Sequence, residues 1–257
     1  MLLGIKGPSF AIASACASGA HAVIQGNMMI QSGMVDIALV GAADAPFTYG
    51  LLKSWEAMRV ATNDTCRPFC ADRSGIALGE GAGMLVLESE DHAIARGARI
   101  YAELAGFGMT SDASHITRPV VAGSARALSN ALDNSRLVPE DVDYINAHGT
   151  ATIANDVTET AAIKQIFGEH ANNLAITSTK AMHGHVLGAS SSLELVATTL
   201  AIHAGIIPPT ANFTVADEEC DLDYVPNIAR EKDINVAMSN SFAFGGLNTV
   251  ITIRKHS

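Results

Sequence analysis

Residues 8–19 read PSFAIASACASG, and everything downstream is read relative to them. Phe10 to Ile12 are apolar, whereas Ala13 to Gly19 are all small, with Cys16 among them. Apolar residues return at Val23, Ile24 and Met28 with helical spacing. The pattern predicts a buried strand over Phe10–Ile12, a tight turn at Cys16 and a helix over Ala20–Gln31. Small residues let backbone approach a substrate, and a helix N-terminus offers free N–H groups and partial positive charge. A cysteine placed there is expected to have a lowered pKa and to act as a nucleophile. The same twelve residues also fit a small buried core thiol, and alone they leave both readings open.

Composition narrows the classes. A chain of 257 residues that is 48% hydrophobic can build one large domain or two small ones. Its net charge of −10 argues against nucleic acid as a partner and, more weakly, against an anionic membrane surface. No apolar run approaches the ~20 residues of a membrane span, and the N-terminus shows no signal-peptide pattern. The four cysteines, Cys16, Cys66, Cys70 and Cys220, suggest no disulfide framework, and a reducing cytoplasm is the expected setting. Cys66 and Cys70 have no matching second pair, so no zinc site is expected.

Along the chain, strand-like and helix-like stretches alternate. Val35–Ala43 (VDIALVGAA) reads as a strand buried on both faces. Pro46–Met58 reads as a helix, Gly75–Leu87 as a glycine-rich stretch ending in a strand, Glu88–Gly97 as a short helix and Ile100–Met109 as a strand. Helices are predicted over Ser124–Ser135, about Asp156–Phe167 and Gly188–Ala204. Further strands are predicted over Asp143–Ala147, Leu174–Thr177, Ile234–Ser239 and Asn248–Ile253, the last two joined by Ser241–Gly246. This alternation points to an α/β layered fold. A strand, a small-residue turn and a helix surround both Cys16 and His148, which hints at two related halves.

His148 sits at a strand end in INAHGTAT, and His185 lies in STKAMHGHVLGAS, five residues after Lys180. The carboxyl ends of strands are where α/β sheets place functional groups, and Gly149, Gly184 and Gly188 are expected to leave room for a ligand. Each histidine also fits a loop residue with a structural hydrogen bond, the reading given to His183 and the other histidines. Gly79–Gly83 lacks the order of a phosphate loop and is expected to permit a bend and close packing. Phe242–Gly246 (FAFGG) could do the same, or could turn backbone N–H groups toward the nucleophile as an oxyanion hole.

Taken in order, SACASG, RPF…DRSGIALGEGAGMLVLE, NAHGTAT, STKAMHGHVLGA and SNSFAFGG resemble the β-ketoacyl-[acyl-carrier-protein] synthases. The likeness is greatest to the elongating condensing enzymes of type II fatty-acid and polyketide synthesis, and it runs from about Gly7 to Arg254. It implies a thiolase-like fold of α-β-α-β-α layers. Residues 1–95 would be the remainder of an N-terminal half with the nucleophile, and residues 96–257 a C-terminal half with the histidines. It implies Cys16 as the acylated nucleophile, His148 and His185 as the histidine pair, and Lys180 as their neighbour. Glu159 and Glu194 become supporting acidic residues, Phe244 the aromatic gate and oxyanion donor, and Arg59 a contact for the carrier.

The implied reaction is decarboxylative condensation of an acyl-cysteine with malonyl-acyl-carrier protein. It needs no metal and no cofactor beyond the phosphopantetheine arm that the acyl carrier protein brings. The implied assembly is a homodimer or a pairing with a ketosynthase-like chain. Four departures stand out. A full family member has a segment ahead of the cysteine strand that includes the first part of the N-terminal half. GASSS replaces a glycine-rich run after His185, Cys70 stands where aspartate is frequent, and the loop at Thr117–Gly123 is short. Two alternatives remain. A non-catalytic partner subunit or inactive fragment is disfavoured by the presence of Cys16 and both histidines. A thiolase acting on coenzyme A esters is disfavoured by HGTAT followed by STKAMHGH.

Overall fold

The small residues after Cys16 lead directly into helix α1, Ser18–Gln31, which buries Gly19, Ala20, Val23, Ile24 and Gly26 on one side. The computed structural model describes residues 3–256. Strand β1, Ile37–Asp44, follows, then α2, Tyr49–Ala57. Strand β2, Gly81–Glu88, pairs antiparallel with β1, Ile37 opposite Glu88 and Asp44 opposite Gly81. Helix α3, Glu90–Ala95, comes after β2.

Next come β3, Glu103–Ser111, and α4, Val121–Ser135. Strand β4, Tyr144–Asn146, is followed by α5, Ile153–Phe167, and β5, Ala175–Thr177. A short helix α6, Lys180–His183, precedes α7, Ser190–Ala204. Strands β6, Ile206–Ile207, and β7, Arg230–Glu231, make a small pair. Strands β8, Val236–Ala243, and β9, Leu247–Arg254, complete a five-stranded sheet of order β3-β9-β8-β4-β5. Strand β4 is parallel to both β5 and β8, and β9 is antiparallel to both β3 and β8.

The period-2 alternation of this sheet separates two cores. Tyr144, Ala175, Ala237, Ile251 and Ile253 join Val23 and Ile24 of α1, Leu195 and Ile202 of α7, and Val40 of β1. Their neighbours in the same strands, Ile145, Ile176, Met238 and Val250, pack against Leu128 and Leu132 of α4 and Ile163 of α5. Helices α1 and α7 thus lie between the two sheets, and α4 and α5 cover the far face of the larger one. This gives four successive layers of the expected five. Glycines allow the middle contacts: a Cβ on Gly83 of β2 would come within 2.4 Å of the Leu193 nitrogen in α7. Close packing is therefore the role of the Gly79–Gly83 run.

Two expectations fail here. Phe10–Ile12 forms no strand, and Phe10 is 61% exposed. An apolar run becomes a buried strand only where a neighbour accepts and donates its backbone hydrogen bonds, and no strand lies beside it among the described residues. Strand β1 is not buried on both faces. Val40 is buried, but Ile37 and Leu39, with Met84 and Val86 of β2, point to an uncovered outer face. The apolar run reports that each face can be covered, not that each one is.

Candidate active site

Three left-handed residues turn the chain beside the three groups of interest. Ala15 (φ +49°) precedes Cys16, Ala151 (φ +62°) follows His148, and Leu187 (φ +45°) follows His185. Such non-glycine conformations cost about 1–2 kcal/mol each and persist only where the surroundings impose them. Here they bring a loop before α1, the end of β4 and the loop after α6 to one cavity of about 100 Å³, lined by Cys16, His148, His185, Thr150, Phe242 and Phe244 among others. The imidazoles of His148 and His185 stand 5.6 Å apart, centre to centre, at 89°. Both rings are buried.

The hydrogen bonds on each ring fix where its proton lies. At His185, Nδ1 accepts the Leu187 N–H at 3.0 Å. At His148, the Lys180 ammonium donates to Nδ1 at 3.2 Å and to the His148 carbonyl at 2.6 Å. A ring nitrogen that accepts carries no proton, so each neutral ring has its N–H at Nε2. Burial, followed by the Lys180 charge, holds both histidines well below the usual imidazole range. They are therefore neutral donors at physiological pH, not bases.

Lys180 is itself buried and forms an ion pair with Glu194. Burial pushes the Glu194 carboxyl up to about 7 against the pull of that lysine. Glu159 holds the other side of His148: its two oxygens accept the N–H groups of His148 and Gly149, each at 2.8 Å. Asn240 Nδ2 donates to it at 3.1 Å. Lys180, Glu159 and Glu194 thus all lie behind the histidines.

Cys16 departs from expectation. Burial pushes its thiol up to about 11, even though the Lys180 charge and the backbone N–H groups of Phe244 and Cys16 itself pull it down. The donors of the adjoining helix end are largely taken by the chain: Ala17 N–H by the Ser14 carbonyl, Ser18 N–H by the Ala15 carbonyl, and Ala20 N–H by Ser191 Oγ. Desolvation therefore wins. Alkylation of Cys16 by iodoacetamide is expected to rise about tenfold per pH unit from pH 7 to 10, read by peptide mass. A plateau already at pH 8 contradicts the buried, protonated thiol.

Phe244 belongs to the β8–β9 turn, which is shorter than the Ser241–Gly246 connection expected, because β8 runs on to Ala243. Its ring stacks on Trp55, centres 6.0 Å apart. Trp55, the single tryptophan, lines the cavity from α2 and is a site residue that sequence reasoning passed over. Asn240 was also missed, since nothing local links it to Glu159. Arg59 stands apart: it is exposed just beyond α2, outside the cavity lining, next to Val60, which does line it. The expected room for a ligand is filled on the Cβ side of these glycines: a Cβ on Gly149 would clash with Ser178 and Phe69, one on Gly184 would crowd the backbone of Ala77 and Leu78, and one on Gly188 would come within 3.3 Å of the Asp44 carboxylate. Their neighbours are protein.

The family model of the beta-ketoacyl synthase N-terminal domain matches residues 1–93, and that of the C-terminal domain matches residues 101–214. The chain belongs to the β-ketoacyl synthase family. The chain is 53% identical over 255 residues to Nodulation protein E of Rhizobium leguminosarum bv. trifolii, covering 99% of the chain and 63% of that protein. It is 47% identical over 262 residues to 3-oxoacyl-[acyl-carrier-protein] synthase 2 of Synechocystis sp., covering 99% and 63%. The solved ishigamide ketosynthase/chain length factor superposes with a TM-score of 0.94 at 44% identity, over 97% of this chain and 61% of that one. The fold is thiolase-like. The chain spans about 63% of the length of the curated relatives it matches.

Proposed function

We propose that this chain carries the catalytic centre for a decarboxylative Claisen condensation in fatty-acid or polyketide synthesis. The observation that carries the reading is the convergence on Cys16 of two buried histidines with their protons at Nε2. Cys16 Sγ attacks the carbonyl of an acyl thioester on acyl carrier protein. The oxyanion is held by the N–H groups of Cys16 and Phe244, the carrier sulfur leaves, and the proton of the Cys16 thiol ends on it. A malonyl thioester then binds with its carbonyl oxygen toward His148 and His185. Its bond to the carboxylate breaks, carbon dioxide departs, and the electron pair forms an enolate whose oxygen accepts both Nε2–H donors. The enolate carbon attacks the acyl-Cys16 carbonyl. Loss of the Cys16 thiolate releases 3-oxoacyl carrier protein.

The electrons balance without a metal or organic cofactor from this chain; the phosphopantetheine arm comes with the carrier. The partners we assign are an acyl carrier protein, with Arg59 as a contact near the cavity mouth, and a second ketosynthase-like chain, a copy or a homologue. Four free thiols favour the cytoplasm as the setting, and among the described residues no helix is long and apolar enough to cross a membrane. The intact mass of the purified chain after incubation with an acyl-carrier thioester tests the reading. One acyl adduct per chain is expected, and a folded chain that gains none overturns it.

A further inference from the structure

Three consecutive buried serines, Ser190–Ser192, open α7. Ser191 Oγ accepts the Ala20 N–H of α1 at 2.8 Å. Ser192 Oγ accepts the Ala42 N–H of β1 at 3.2 Å and donates to the Ala189 carbonyl at 3.1 Å. These two hydroxyls tie α7 to α1 beside it and to the β1 layer. Ser190 faces the site instead. Its Oγ lies 2.9 Å from His185 Nδ1 and accepts the Val186 N–H at 2.8 Å. Since Nδ1 also takes the Leu187 N–H at 3.0 Å, it offers a lone pair. The proton shared by Ser190 and His185 therefore belongs to the hydroxyl.

We propose that Ser190 is a positioning residue for His185, its hydroxyl proton on Nδ1 holding the imidazole in the Nε2–H form and aiming that donor into the cavity. The proposal rests on the reading of His185 as a donor to the thioester oxygen and deepens it. The two histidines are then set by unlike groups. At His148 the Nδ1 partner is the Lys180 ammonium, whose charge is shared with Glu194. At His185 it is a neutral hydroxyl backed by one backbone N–H. The Leu187 N–H can only donate, so it sets the tautomer; the Ser190 hydroxyl, which can donate or accept, then adds its proton to the same Nδ1 and reinforces that form. Rotation of the ring would break both Nδ1 bonds together.

Nitrogen NMR of the intact chain with ¹⁵N-labelled histidine rings tests this at pH 7, with His185 assigned by the signal lost in His185→Gln. In the unsubstituted protein His185 is expected to show a protonated Nε2 and a hydrogen-bonded, unprotonated Nδ1. In Ser190→Ala the Nδ1 resonance is expected to move toward that of a bare lone pair, while His148 keeps its signals. In Ser192→Ala, which removes a hydroxyl two residues further along α7, His185 is expected not to change. A proton on Nδ1 of His185 in the unsubstituted protein overturns the proposal, which keeps it decidable even if Ser190→Ala does not fold. So does a folded Ser190→Ala with an unmoved Nδ1 resonance. None of these signals depends on turnover, so they are separate from the acyl-adduct result.

Discussion

Cys16→Ala is expected to abolish the acyl adduct and to lower condensation by at least ~10⁴-fold. In the proposed reaction the sulfur is the atom that is acylated, and among the described residues no other thiol lines the cavity. Cys66, Cys70 and Cys220 are buried elsewhere, and burial pushes Cys66 and Cys220 up to about 12. Loss of Sγ does not touch the hydrogen bonds that hold the histidines: Lys180 on His148, and Leu187 and Ser190 on His185. Carbon dioxide release from a malonyl thioester, which needs only the two Nε2–H donors, is therefore expected to continue in the variant. Parallel assays of carbon dioxide and 3-oxoacyl product check this. Equal loss of both activities would mean that the thiol also orders the malonyl site.

Lys180→Met is expected to destabilise the fold by ~3–5 kcal/mol, the cost of breaking a buried ion pair from one side. Methionine fills similar volume but leaves the Glu194 carboxylate without a counter-ion and the His148 carbonyl and Nδ1 without their donor. One Glu194 oxygen, Oε2, has no partner even with the lysine present. The pH dependence follows from the raised carboxyl. A folded-state pKa of about 7, above the ordinary carboxylate value of about 4.5, gives stability that is fully present below about pH 4.5 and lost as pH rises through about 7. In the variant that folded value rises further. Between about pH 4.5 and 7 both proteins lose stability in parallel; above about 7 only the variant goes on losing it, by up to ~1.4 kcal/mol per pH unit. Thermal unfolding at pH 6, 7 and 8.5 reads this as a gap that is constant at first and then widens. A gap that narrows toward pH 8.5 contradicts it.

The site was legible where its chemistry depends on local pattern. A small-residue turn before a helix marks Cys16, and a strand end followed by Gly-Thr marks His148. The five ordered motifs supplied the rest, including a lysine and two glutamates whose burial no periodicity would announce. Sequence failed where the answer depends on what lies opposite. Among the described residues Phe10–Ile12 has the composition of a strand but no ladder to join, and β1 has an apolar outer face that none of them covers. The thiol was expected low because a helix begins beside it. Ser191, 171 residues away from Ala20, occupies one of the helix donors, and burial does the rest. Trp55 and Asn240 carry no local signature because their partners, Phe244 and Glu159, lie 189 and 81 positions off in the chain.

The order β3-β9-β8-β4-β5 places the last two strands of the chain in the middle of the larger sheet. During synthesis, β3 and the β4–β5 pair emerge first and must wait, edges open, for β8 and β9 to be inserted between them. About 75 residues separate the end of β5 at Thr177 from the end of β9 at Arg254, which at ribosomal speed is roughly 4–15 s. Through that interval neither the sheet nor the Phe244 turn beside Cys16 exists, and long-range pairing of this kind is slow and exposed to aggregation. A nascent chain stalled or cleaved before residue 236 therefore has an unclosed sheet as well as an incomplete site. The cavity beside Cys16 is closed only once β8 and β9, the latest of the described strands, have been made.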